Sequence, residues 1–147
     1  MKVTRFTDYS LRILIYLALK PDELVTIQEI ADSYHISKNH LMKVVQELSN
    51  RQYVTAIRGK NGGLKLHKSA DDINIGNLIR EMERHTVLVE CFGKDNQCVI
   101  TPSCQLKRML AEAVEEFYKC LEKYSLKDLV GVKQKSPLIK QLGISLA

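Results

Sequence analysis

Three cysteines, Cys91, Cys98 and Cys104, fall within one short, polar, glycine-containing stretch. No periodic apolar pattern runs through it, so it reads as a loop. A long amphipathic stretch follows, and Thr101 with Pro102 has the form of an N-cap and a first helical residue. On that reading Cys104 lies in the first helical turn, where free backbone N–H groups and the helix dipole favour an anion such as a thiolate. Three thiolates beside a helix start can ligate a metal ion or an iron–sulfur cluster. Two of them can equally form a reversible disulfide, or all three can be unrelated buried cysteines. The spacing does not match the paired CxxC units of a zinc ribbon. Cys120 lies near the apolar stripe of the long helix and reads as a small core or interface residue.

Reactive thiols of this kind belong in a reducing compartment. The 147 residues carry four cysteines, too few for a disulfide-stapled scaffold. The start, Met1-Lys-Val-Thr-Arg-Phe-Thr, is not a secretory signal, because no small-residue cleavage site follows its late apolar run. The longest apolar stretch, Leu11 to Leu19, contains Arg12 and is too short to cross a bilayer. The expectation is a cytoplasmic protein of one domain, or one domain with an appendage. No phosphate-binding glycine fingerprint, zinc-hydrolase helix motif or nucleophile–base pair is evident, so no enzyme is expected.

The net charge is +5, and its placement says more than its size. Lys38, Lys43, Arg51, Arg58, Lys60, Lys65 and Lys68 stand against Glu47 alone between Tyr34 and Lys68. That local excess is larger than the charge of the whole chain. A surface that meets phosphates leaves this footprint, and a merely solvated basic face leaves it too.

The elements around it decide between the two. Thr7 to Leu19 reads as a largely buried helix, with Thr7 as N-cap and Asp8 in its first turn. Thr26-Ile-Gln-Glu29 is a capping-box pattern opening a second helix. Ser33 to Ile36 makes a turn, and Ser37 caps a third helix with Leu41, Val44, Val45 and Leu48 facing inward. Two short helices joined this way form a helix-turn-helix. Tyr53–Arg58 and Leu64–Lys68, joined by Gly59 to Gly63, then read as a basic hairpin, a wing. Candidate DNA contacts are Thr26, Gln28, Ser37, Lys38, Asn39, His40 and Lys43 on the helices, and Arg58, Lys60, Asn61, Gly62 and Gly63 on the wing. Asp71 to Asn74 caps a further helix. From Pro102 to about Tyr124, Leu106, Met109, Leu110, Ala113, Phe117, Leu121 and Tyr124 form a stripe long enough to need a partner surface, and a twofold-related copy is the simplest one. The fold class is mainly α with a small β-wing. Residues 1–85 are the winged helix-turn-helix, 86–104 the cysteine loop, 102–130 the dimerisation helix, and 131–147 a basic tail of low information. His35, His67 and His85 stand alone.

Several separate motifs then resemble one family. Phe6 to Arg12, Ile36 to Val45, Ile57 to Gly63, Asp72 to Gly76 and Val89 to Cys91 look like the iron–sulfur winged-helix repressors of bacteria, and within them the nitric-oxide-sensing branch. The resemblance covers residues 1 to about 130. It implies a homodimer on an operator, and an iron–sulfur cluster on Cys91, Cys98 and Cys104. It also implies a fourth ligand, Asp8 of the other subunit, with Arg12 one turn later holding that carboxylate. A [4Fe–4S] cluster is favoured and a [2Fe–2S] cluster is the alternative. A relative that senses cluster status uses a histidine just after its third cysteine. Here Gln105, Leu106, Lys107 and Arg108 follow Cys104, so that ligand is missing. Loss of the cluster to nitric oxide would then release the operator. The rival reading is a regulator on the same scaffold that answers to iron–sulfur status, a metal ion or thiol oxidation.

Overall fold

The computed structural model describes residues 1–145. Thr4, rather than Thr7, starts the first helix. Helix α1 spans Arg5–Leu19, and the Thr4 hydroxyl accepts the Thr7 N–H at 3.3 Å. Thr7 itself lies one turn inside and is fully buried. The reason is a distant one. Glu83 Oε1 accepts the Thr4 N–H at 2.7 Å and the Thr4 hydroxyl at 2.9 Å, which fixes the helix start from 79 residues away. The rest of α1 behaves as its all-round apolar character requires, with Ile13, Leu14, Tyr16, Leu17 and Leu19 buried.

Helix α2 spans Ile27–Tyr34, and Thr26 caps it by accepting the Glu29 N–H at 3.1 Å. The capping box closes only halfway. Glu29 turns its carboxylate to the Tyr16 hydroxyl at 2.8 Å and the Lys20 ammonium at 2.9 Å instead. His35, at φ 56°, makes the left-handed turn. Helix α3 spans Lys38–Asn50, with Leu41, Val44, Val45 and Leu48 buried; Ser37 stands at the N-cap position without a side-chain capping bond. Strands β1 (Val54–Ile57) and β2 (Gly63–Leu66) form an antiparallel pair with Val54 opposite Leu66. Gly59, at φ 110°, turns between them, a conformation that side chains resist. The other edge of β2 is covered as well: Val25 and Leu64 exchange backbone hydrogen bonds of 3.0 and 2.7 Å.

Helix α4 (Ile75–Met82) is capped by Asn74, and α5 spans Gln105–Leu121. The C-terminal half of α5 is clamped to α4. Arg80 donates to both Glu115 carboxylate oxygens at 2.9 Å and to Glu122 at 2.9 Å, and its guanidinium lies 4.5 Å from the Tyr118 ring centroid. Backbone bonds from Ile75 to Tyr124 (3.0 Å) and from Leu126 to Ile73 (2.8 Å) tie the return segment to the same place. Gly76 sits where these meet. A Cβ there would collide with the backbone nitrogen and Cγ of Glu122. Two elements close the chain, α6 (Leu126–Leu129) and α7 (Val132–Leu142). The residues expected as an uninformative tail are therefore partly helical: Leu138, Ile139 and Leu142 pack on the core, and Ile144 is buried. Leu146 and Ala147 of that tail lie outside the described residues. No helix of the described residues is long and apolar enough to cross a membrane.

Two substitutions test this frame. Gly76→Ala should lose about 1–3 kcal/mol by overpacking the α4–α5 junction, read as a lowered melting temperature. Glu83 is the second. Burial pushes its carboxyl up, but the Thr4 N–H and the hydroxyls of Thr7, Thr4 and Thr86 outweigh that and hold it below the ordinary range. Its Oε2 is buried and closes no well-formed hydrogen bond, so the hold comes mainly through Oε1. A depressed carboxyl stabilises the fold above the unfolded value and loses that contribution as pH falls through the folded one. Glu83→Gln should cost about 1–3 kcal/mol at neutral pH, and its gap from the unaltered protein should narrow in melts at progressively lower pH.

Candidate metal centre and DNA-reading surface

The cysteine loop is ordered by its own side chains. Asn96 Oδ1 accepts the Cys98 N–H at 3.0 Å, and its amide donates to the Thr101 hydroxyl at 2.8 Å. That hydroxyl donates onward to the Cys98 carbonyl oxygen at 2.8 Å. Thr101 is therefore spent closing the loop and does not cap α5. Thr101–Ser103 forms a separate 3₁₀ turn carrying Pro102, and α5 begins only at Gln105. Cys104 is its N-cap rather than a first-turn residue: the Sγ accepts the Lys107 N–H at 3.4 Å. Cys91 sits in another 3₁₀ turn, Glu90–Phe92.

All four cysteines are unpaired; Cys98 and Cys120 are exposed, Cys91 and Cys104 half-buried. Cys120 is thus no core residue of this chain. Among the described residues, no three Cys, His, Asp or Glu side chains are drawn together as a site for one metal ion. A cluster asks something different, since its ligands sit on different irons. The donor set fits that chemistry: three thiols in one loop, all unpaired and all reaching solvent.

Asp8 lies elsewhere, on α1. Arg12 forks onto it, Nε to Oδ1 at 3.2 Å and a terminal nitrogen to Oδ2 at 2.8 Å. The Asp8 side chain remains 47% exposed, and each oxygen keeps a lone pair beyond the one Arg12 uses. It lines a shallow hollow with Lys2, Val3, Arg5, Tyr9, Leu11 and Arg12. Within the single chain the structure does not bring Asp8 to the cysteines.

The basic face resolves into two populations. Thr26, Gln28, Lys38, Arg58, Gly62 and Gly63 line one groove between the start of α2 and the wing. Ser37, Asn39, His40, Lys43, Lys60 and Asn61 are exposed outside its lining. Lys38, Lys43, Arg58 and Lys60 enter none of the ion pairs among the described residues. Arg51 and Lys68, which swell the local charge in the sequence, serve the fold. Arg51 pairs with Glu47 at 2.6 Å and Glu81 at 3.4 Å, and Lys68 lies 4.7 Å from the Tyr53 ring centroid.

This architecture has known counterparts. Residues 3–131 match the model of the Rrf2 family, described as an iron-dependent transcriptional regulator. The chain belongs to the Rrf2 family. It is 50% identical over 146 residues to the HTH-type transcriptional regulator NsrR of Oceanobacillus iheyensis, covering 98% of each chain. It is 49% identical over 144 residues to NsrR of Bacillus subtilis, covering 97% of each. Among solved structures, it is similar to CymR, the global cysteine regulator of B. subtilis, with TM-score 0.65 and 30% identity over 88% of this chain and 95% of that one. IscR of T. potens shares the fold at TM-score 0.67 and 23% identity, over 88% of this chain and 86% of that one. This Rrf2 protein is a transcriptional regulator of the NsrR type, a reader of DNA and not an enzyme.

Serine is a better N-cap acceptor than a thiol. Cys104→Ser should therefore leave metal-free protein at least as stable as the unaltered chain. Thermal melts followed by circular dichroism under chelating conditions check this; a clear loss of stability would show Cys104 to be a packing residue.

Proposed function

We propose that two copies of the chain form a repressor that grips its operator while an iron–sulfur cluster is in place. Cys91, Cys98 and Cys104 of one copy and Asp8 of the other would hold it, with [4Fe–4S] the favoured form and [2Fe–2S] the alternative. Nitric oxide is the proposed signal. When bound, the cluster supplies iron open to small ligands, most of all where a carboxylate, harder and weaker than thiolate, is the ligand.

One observation carries this reading. Asp8 is fixed in direction by Arg12 yet half open to solvent, in a hollow that its own chain leaves unfilled. The family description as iron-dependent and the likeness to NsrR proteins support it further. So does the outer face of the loop and long helix. Leu106 and Met109 are each 59% exposed and Val99 is 91% exposed, in the loop and the N-terminal half of α5, which the Arg80 clamp does not reach. Apolar surface of this kind marks an interface, and a twofold copy is the simplest cover. In this reading residues 1–85 read DNA, 86–104 hold the sensor, 102–130 pair the copies and 131–147 are accessory.

The chain's own residues would convert occupancy into grip. Asp8, held by a second copy, would anchor α1. Helix α1 packs on α3, burying Ile13 and Leu17 in the same core as Leu41 and Val45. The pose of α1 thus sets the pose of α3. Dimeric readers need half-sites about 34 Å apart. Freeing Asp8 would let that spacing drift, and phosphate and base contacts would weaken together.

A thiol-redox regulator is the second reading, favoured by four unpaired thiols of which Cys98 and Cys120 are exposed. Air-free reconstitution separates the two. The expected result is coloured protein containing iron and sulfide that retards operator DNA on a gel and releases it on nitric oxide titration. Colourless, iron-depleted protein that binds the operator equally tightly would overturn the cluster reading.

A further inference from the structure

Tyr34 is the last residue of α2, immediately before the left-handed His35 that leads into α3. Its hydroxyl donates to the Arg12 carbonyl oxygen at 2.9 Å, in the middle of α1. Its ring centroid lies 5.8 Å from the Arg12 guanidinium carbon, the same guanidinium that forks onto Asp8. The Tyr9 centroid lies 5.5 Å from that carbon. On its other connections Tyr34 meets the Tyr16 ring at 6.3 Å, tilted by 58°. The Tyr16 hydroxyl donates to Glu29 of α2 at 2.8 Å and lies 3.5 Å from the Ser33 hydroxyl. An unbroken run of polar and aromatic contacts therefore joins Asp8 to the end of α2.

We propose that Tyr34 is the positioning residue through which the state of Asp8 reaches the turn into the recognition helix. The inference rests on the reading in which Asp8 is held by a second copy. Tyr34 bonds neither thiol nor Asp8; it acts through Arg12. The physical case is one of stiffness. A planar guanidinium bonded to both carboxylate oxygens cannot follow one oxygen without the other, so movement of Asp8 turns the whole fork. The Tyr34 ring lies within cation–π range of the guanidinium, 5.8 Å from its carbon, and must follow or lose that attraction. Its backbone is one residue from the turn. The hydroxyl stays a donor through the neutral range, because burial pushes it up to about 12. The packing of α1 on α3 would place the two helices in any case. Tyr34 adds a direct tie to the turn, where a small rotation swings the start of α3.

The test uses the full chain, reconstituted air-free, with two variants. Tyr34→Phe keeps the ring over Arg12, and Tyr34→Leu removes it. Both should take up iron and sulfide like the unaltered protein, with the same absorbance. The ratio of operator affinity between loaded and cluster-free protein should survive largely intact in Tyr34→Phe. It should fall by about tenfold in Tyr34→Leu, the scale of a single coupling between sites. An unchanged ratio in Tyr34→Leu overturns the proposal, as does loss of iron uptake, which would make Tyr34 a support for the ligand. If Tyr34→Leu does not fold, fluorine NMR of 3-fluorotyrosine-labelled protein decides, with the Tyr34 signal assigned by its absence in Tyr34→Phe. That signal should shift on cluster removal, and a signal that stays put overturns the proposal. If the unaltered protein itself shows no difference between loaded and cluster-free forms, the proposed function falls and this inference with it. A difference that Tyr34→Leu leaves whole sinks Tyr34 alone.

Discussion

One guanidinium, shared among Glu115, Glu122 and the face of Tyr118, decides where the cysteine loop can lie. Arg80 fixes the direction of α5 against α4, and so fixes the far end of the loop. The near end is held by Glu83 through Thr4. Magnitudes divide the labour between these contacts. Arg80, Glu115 and Glu122 are all half-exposed, and pairs so open to solvent contribute only about 0–1 kcal/mol each. The apolar contacts of Phe117 and Leu121, with the backbone bonds at Tyr124 and Leu126, do more for stability. What Arg80 adds is direction, because a two-pronged donor accepts few orientations of its partner. Glu83, nearly buried and bonded to a backbone N–H, contributes stability as well.

The fold was largely legible because its signals are local. The inward faces of α2 and α3 follow from helical spacing, and the wing from two β-capable runs around a glycine turn. The errors share one cause. Thr7 looked like the cap of α1 because nothing nearby shows that Glu83 would claim Thr4. Thr101 followed by Pro102 looked like a helix start because nothing shows that Asn96 and Cys98 would claim the Thr101 hydroxyl. The tail hid α7 because Pro137 and three lysines interrupt a short apolar pattern, although Gly143 stood as a stop signal after Leu142.

The candidate site was legible in its residue types and not in its assembly. Cysteine spacing marks a candidate ligand loop, but Asp8 is distinguished from any helix-start carboxylate only by the Arg12 fork and the hollow around it. Tyr34 carried no sequence signal of its own, since a tyrosine near the end of a short helix is ordinary. Charge counting overstated the basic face, because Arg51 and Lys68 are bound into the fold while Lys38 and Arg58, beside a groove, enter no ion pair among the described residues.

The short backbone exchange between Val25 and Leu64 has a consequence for how the groove beside Thr26 can move. With Leu64 of β2 bonded on both edges, the base of the wing is tied to the segment that leads straight into Thr26 and α2. The base of the hairpin and the start of α2 then move together. A displacement of that segment therefore carries both walls of the groove between the start of α2 and the wing.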